Sequence, residues 1–238
     1  MATPRRLALT AGILYLLTFA FSIPAYFLYE PVLVDPAYIV GDGEHDTRIV
    51  LGAALEMLTA LAGIGTAVAV YPVIRRHSEA ASLGFVTTRI VEAAVMIVGV
   101  LALVSIVSVR GVGASPGADD GALIAIGQTL VAVRDQTALF GPGFVPILNA
   151  LLFGSVLFRS RLVPRWIPTL GLIGAPLLLV SVTGRIFGLS DGQSAFDAVA
   201  LAPIFLWELS IGVWMTFRGF RPSALQRLGF DERGIGAP

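Results

Sequence analysis

The chain of 238 residues contains no cysteine, which rules out a disulfide framework, a thiolate nucleophile, a cysteine-held metal and an iron–sulfur cluster. Lysine is also missing, and the 16 basic side chains are all arginine. Schiff-base chemistry is excluded with it, including a covalently bound retinal. Histidine occurs only as His45 and His77, both in segments that read as loops, so a bis-histidine haem between spans has no ligands. Charged residues are scarce at 13% and cancel to a net charge of zero. Such a chain offers no basic face to nucleic acid. No phosphate loop, zinc helix motif or GxSxG elbow is present, so no cofactor and no metal site is expected.

What the chain has in abundance is apolar side chains, 56% of the total, with a mean hydropathy of +0.84. This lies outside the range of soluble domains and predicts an integral membrane protein. Roughly 20 apolar residues cross a bilayer as a helix. By that measure, spans fall at residues 7–28, 49–74, 83–109, 140–158, 167–187 and 198–217. A cleaved signal peptide ending at Ala25 fits the first run poorly, because the run is long and Ile23 is a bad residue three before a cut. The expected architecture is all-α: a polytopic bundle of six helices forming a single integral membrane domain over residues 1–238, with one additional amphipathic segment (122–140) before the fourth span. Residues 29–46, with five acids and two prolines, and residues 110–121, rich in glycine, read as loops.

Arginine distributes unevenly over this map. Arg5, Arg6, Arg75, Arg76, Arg159, Arg161, Arg165, Arg218, Arg221, Arg227 and Arg233 fall at the termini and in the links after spans two and four, while the opposite loops hold Arg48, Arg110 and Arg134. Arginine collects on the cytoplasmic side of short loops. The sequence thus predicts an inner-membrane protein with both termini cytoplasmic.

Charges inside spans are the candidate site. Arg89 and Glu92, three residues apart in span three, share a helix face that must look into protein or water. The plainer reading is an ion pair fastening helices, or an arginine snorkelling to the surface. Glu208 lies near the middle of span six with Pro203 five residues before it, and is expected to meet Arg89 or a protonatable ligand. Glu56 sits on a stripe of small and polar residues, Gly52, Thr59 and Gly63, and an outer cluster of Glu56 with Arg185 or Arg134 is expected. Asn149 follows Pro146 by one turn, where Pro142 and Pro146 remove helix hydrogen bonds. Arg185 shares one face of span five with Gly171, Gly174 and Ser181. The ligand-binding candidates are therefore Arg89, Glu92, Glu208, Glu56, Asn149 and Arg185.

Four stretches carry a family resemblance. They are Phe158-Arg159-Ser160-Arg161-Leu162-Val163-Pro164-Arg165-Trp166; Ala69-Val70-Tyr71-Pro72 with Ile74-Arg75; Arg89-Ile90-Val91-Glu92-Ala93; and Ala202-Pro203 through Glu208 to Arg218-Gly219-Phe220. Together they resemble a family of small bacterial and archaeal membrane proteins catalogued only as a domain of unknown function. The likeness spans nearly the whole chain and implies a fold and a membrane location, with no activity attached.

The function these residues favour is binding or transport of a small polar or amphipathic solute in a pocket of Arg89, Glu92 and Glu208, among membrane lipids. One competitor is a membrane-embedded enzyme acting on a lipid-like substrate by carboxylate acid–base chemistry. The other is a structural or regulatory partner subunit, whose charges only fasten helices. Oligomeric state has no signature in the sequence.

Overall fold

An apolar stretch that cannot hydrogen-bond to lipid closes its own backbone bonds as a helix, and the chain does so six times. The structure is a computed structural model and describes residues 3–113 and 119–230. Helices α1 (Pro4–Val34), α2 (Asp46–Ile74), α3 (Glu79–Gly113), α4 (Asp120–Ser160), α5 (Trp166–Ile186) and α6 (Ala195–Phe217) are each long and apolar enough to cross a membrane. A short helix, α7 (Pro222–Arg227), follows. Arg233 and residues 114–118 of the glycine-rich loop lie outside the described residues.

The helices overrun the expected spans for local reasons. Pro31 lies inside α1 and lacks the N–H that the Phe27 carbonyl would accept; the Arg48 side chain donates to that carbonyl instead. So α1 runs on through residues 29–34, which the sequence places in a loop. The true loop begins where the Asp35 carboxylate accepts the Ala37 N–H at 2.9 Å, and it carries one 3-10 turn, Tyr38–Val40. At the far end, α3 continues through Gly113, past the expected loop start at Arg110. The Arg110 side chain holds that end by pairing with Asp46. Gly43, at φ +79°, passes directly beneath that guanidinium, where no side chain would fit.

The amphipathic stretch before span four is helical and joins it without a break in α4. Two π-helical turns, Leu139–Phe144 around Pro142 and Ala150–Gly154 after Asn149, absorb the hydrogen bonds that the prolines cannot make. The chain bends its ladder there and does not stop. α6 starts with a capping box: Ser194 accepts the Asp197 N–H at 3.2 Å, and Asp197 accepts the Ser194 N–H at 3.2 Å.

The chain forms two compact units. Unit 1 comprises residues 1–17, 62–91 and 143–238, and unit 2 comprises residues 18–61 and 92–142. In unit 1, α1 and α6 meet through small residues, because a Cβ on Gly12 would lie 2.5 Å from the Thr216 backbone nitrogen. α5 lies along α6 by the same device, with Gly171 under the Trp207 ring and Gly174 under Ile204. Unit 2 packs Ala25, Tyr29, Val32, Ile39, Ile49, Leu103 and Ile106 into one core. Both units leave large apolar side chains facing out, such as Ile13, Val68, Ile173 and Phe205 in unit 1 and Phe27, Leu51, Leu58 and Leu101 in unit 2. That is the pattern of helices bathed in lipid, where the exterior is as apolar as the core.

Candidate functional site

In unit 1, the central carboxylate of α6 meets the first arginine of α3. Arg89 Nη2 donates to Glu208 Oε1 at 2.8 Å and to the Tyr15 hydroxyl at 3.2 Å. The guanidinium also lies 5.4 Å from the Tyr15 ring centre and 5.6 Å from that of Phe85, within cation–π range. Arg89 is buried, and Glu208 keeps 18% of its side-chain surface open. Arg89 is the side-chain partner of Glu208 among the described residues, through Oε1 alone.

Around this pair stand groups of two kinds. Thr88, next to Arg89 in sequence, donates to the Asn149 side-chain oxygen at 2.6 Å. Asn149 is fully buried at the edge of the second π turn of α4. The aromatic group is a stack of Phe85 on Phe153, 4.4 Å between ring centres, with Trp207 tilted beyond at 6.4 Å. Trp207 is wholly buried, and its indole N–H has no hydrogen-bond partner among the described residues. Its ring is seated instead on Gly171, where a Cβ would come within 2.6 Å.

Unit 2 repeats the arginine–glutamate–tyrosine combination in closed form. Arg134 Nη2 donates to both Glu56 oxygens, at 2.9 and 3.0 Å, and to the Tyr29 hydroxyl at 2.6 Å, with its guanidinium 4.9 Å from the Tyr29 ring centre. Glu56, Arg134 and Tyr29 are all buried, and both side chains of the ion pair are 7% exposed. Gly52 admits Tyr29 and Gly99 admits Arg134, each at about the contact limit of an added methyl. Nearer the loop, Asp46 accepts from Tyr38 Oη at 2.8 Å and from Arg110 Nε at 3.0 Å. Burial, and then the Asp46 carboxylate, push the Tyr38 phenol above its ordinary range.

The placement of the expected residues is therefore divided. Arg89, Glu208 and Asn149 belong to unit 1, and Glu56 joins Arg134 in unit 2. Glu92, one turn beyond Arg89 on α3, is buried and belongs to unit 2. Arg185 belongs to unit 1 and is exposed at the end of α5, where Gly192 at φ +81° passes against its guanidinium. Charge spacing cannot choose between Arg185 and Arg134, and the choice was made by where α4 packs. Tyr15 and Tyr29 went unread, since a tyrosine in an apolar run looks like filler. Their separation of 14 residues on α1, close to four turns, was the available signal.

Asp197 falls between the expected spans five and six, where it reads as a loop acid, and in the structure it ties the start of α6. It accepts from the hydroxyls of Ser181 at 2.5 Å, Ser190 at 2.6 Å and Ser194 at 2.6 Å. Three hydroxyl donors onto one carboxylate close the α5–α6 turn. Among the described residues, no group of three His, Cys, Asp or Glu side chains is arranged to hold a metal ion.

Six membrane-length apolar helices define an all-α, multi-pass integral membrane protein. A family model described as a domain of unknown function, DUF4386, matches residues 10–219, and the chain belongs to that family. The stretches singled out in the sequence, from Ala69 to Phe220, fall within or at the edge of the matched region. No curated protein and no solved structure matches the chain.

Proposed function

We propose that this protein binds, and carries across the cytoplasmic membrane, a small polar or amphipathic solute that engages the Arg89–Glu208 pair. The observation that carries this reading is the difference between two otherwise similar pairs. Glu56 has both oxygens on Arg134 and is sealed, as a helix fastener should be. Glu208 uses one oxygen, and its side chain stays 18% open. A carboxylate in a span is costly to keep unless something else satisfies it. The second Glu208 oxygen accepts from a donor-bearing head group, while Arg89 and the Tyr15 hydroxyl fix the other side of the site. Asn149 and Thr88 supply neutral polar contacts, and the Phe85–Phe153–Trp207 stack supplies an apolar wall.

The test is untargeted mass spectrometry of small molecules that copurify with the protein in lipid nanodiscs. A compound enriched with wild type is expected to vanish from Arg89→Ala and fall at least tenfold in Glu208→Gln. Both variants must remain monodisperse for the comparison. If Glu208→Gln retains the same compounds at the same level, Glu208 is a fastener and the solute reading fails.

The arginine distribution supports an orientation with both termini cytoplasmic. Because the chain has no native cysteine, single replacements report topology without background. Asp42→Cys in intact cells is expected to react with a membrane-impermeant maleimide, and His77→Cys only after lysis. The reverse pattern would invert the protein in the membrane.

A further inference from the structure

One end of unit 1 is densely basic, and its residues take no part in the Arg89–Glu208 reading. Four segments are tied together there. Arg5 donates to the Met215 carbonyl oxygen at 3.0 Å, the Arg221 N–H to that of Leu162 at 2.9 Å, Arg227 Nη2 to that of Ser160 at 3.3 Å, and Arg76 Nη1 to that of Gly229 at 2.9 Å. Residues 3–10, 71–82, 158–166 and 217–230 hold two, two, three and three arginines, all exposed, against the single acid Glu79. Asp231 and Glu232, outside the described residues, leave the balance strongly positive. The α4–α5 turn adds a second observation. Arg161 caps α4 at φ +59°, the one non-glycine residue with a positive φ among the described residues. Glycine takes that conformation freely and is the usual residue there, whereas an arginine is held in it against its preference. The exposed Arg161 side chain makes no hydrogen bond or ion pair among the described residues, so the strain serves no contact within them.

Such a surface calls for an anion, and the guanidinium fork matches phosphate oxygens in pairs. Hydrocarbon beside the charge narrows the class. Trp166 and Phe217, which adjoin Arg165 and Arg218 in sequence, are 56% and 71% exposed. A nucleic acid or a free phosphate engages only the charge, whereas a phospholipid engages the charge with its head and the rings with its chains. With Glu79 as the one acid on these segments, the ammonium of a zwitterionic head group finds little to pair with, and a head group of net negative charge fits better. We propose that this end of unit 1 binds anionic phospholipid, with Arg159, Arg161 and Arg165 on head-group phosphates and Trp166 and Phe217 on the adjoining hydrocarbon. The assignment holds whichever side of the membrane this end faces.

The full chain in a neutral maltoside detergent is titrated with dioctanoyl phosphatidylglycerol, and bound lipids are counted by native mass spectrometry. Dioctanoyl phosphatidylcholine, glycerol phosphate and a single-stranded oligonucleotide are the zwitterionic, chain-free and non-lipid comparators. Saturable binding is expected for phosphatidylglycerol, with each comparator weaker by about tenfold or more. An arginine at an anionic lipid surface contributes about fivefold in affinity. Arg161→Gly should therefore weaken phosphatidylglycerol about fivefold while the thermal midpoint stays or rises, because glycine suits the backbone at that position. The triple variant Arg159→Gln, Arg161→Gln and Arg165→Gln should weaken it about 100-fold. None of the three side chains donates a hydrogen bond among the described residues, so the fold is not at risk. The proposal is overturned by phosphatidylcholine binding equally well, by glycerol phosphate or the oligonucleotide matching phosphatidylglycerol, or by Arg161→Gly or the triple variant binding as wild type does.

Discussion

Replacing Arg134 by methionine is expected to destabilise the protein by about 3–5 kcal/mol, because it strands a sealed carboxylate without its cation. Glu56→Met, leaving the guanidinium stranded, should lose a similar amount. Both Glu56 oxygens and the Tyr29 hydroxyl accept from one Arg134 nitrogen, and without it Glu56 is left with the neutral Tyr29 hydroxyl in place of a cation. The Glu56→Met and Arg134→Met double variant should lose far less than the sum of the two, since a buried ion pair exchanged for apolar side chains of like size is often close to neutral. Tyr29→Phe, which deletes a hydroxyl that accepts from Arg134 and donates to the Glu56 carboxylate, should cost about 1.5–3 kcal/mol. Unfolding free energies measured by steric trapping in bilayer mimics would decide the matter. Additive single losses would mean that the two charges do not sustain each other, and the contrast with Glu208 would lose its basis.

Gly12→Ala carries the second large effect. A methyl there would lie 2.5 Å from the Thr216 nitrogen and 2.9 Å from the Gly212 carbonyl oxygen. Both are backbone atoms of α6 that cannot rotate aside, so α1 must move off α6 at an expected loss of about 1–3 kcal/mol. The displacement reaches the site, because Tyr15 stands one turn further along α1 with its Cβ against Gly212, and its hydroxyl accepts from Arg89. Any copurifying solute should be lost with it. Gly63→Ala is the matched comparison: an added methyl meets nothing within 4 Å, and replacing glycine in a helix interior should stabilise by up to about 1 kcal/mol. If the two substitutions shift the thermal midpoint in the same direction by similar amounts, close approach at Gly12 is not what holds α1 to α6.

The six spans were legible because bilayer thickness imposes a length that hydropathy reports directly. Their ends were not. The last turns of α1 depend on the Arg48 side chain reaching a carbonyl 21 residues earlier, and no local pattern encodes that reach. The pairing of Glu208 with Arg89 could be anticipated from scarcity, since few charges stand near mid-span and each requires a partner. The partner of Glu56 could not, because Arg134 and Arg185 were equivalent on paper until α4 was placed. At the other extreme, the capping box at Ser194 and Asp197 was written into four consecutive residues; the aspartate simply looked like one more loop acid.

The start and finish of the membrane region are tied together. Arg5 donates to the carbonyl oxygens of Met215 at 3.0 Å and Thr216 at 2.9 Å, closing the C-terminal end of α6 from the beginning of α1. During biosynthesis the ribosome releases every residue of unit 2 by position 142, while unit 1 waits for the final helix. The first helix must therefore enter the bilayer and remain incompletely partnered until the last one emerges. A nascent chain arrested before Phe217 should hold a finished unit 2 and an open unit 1.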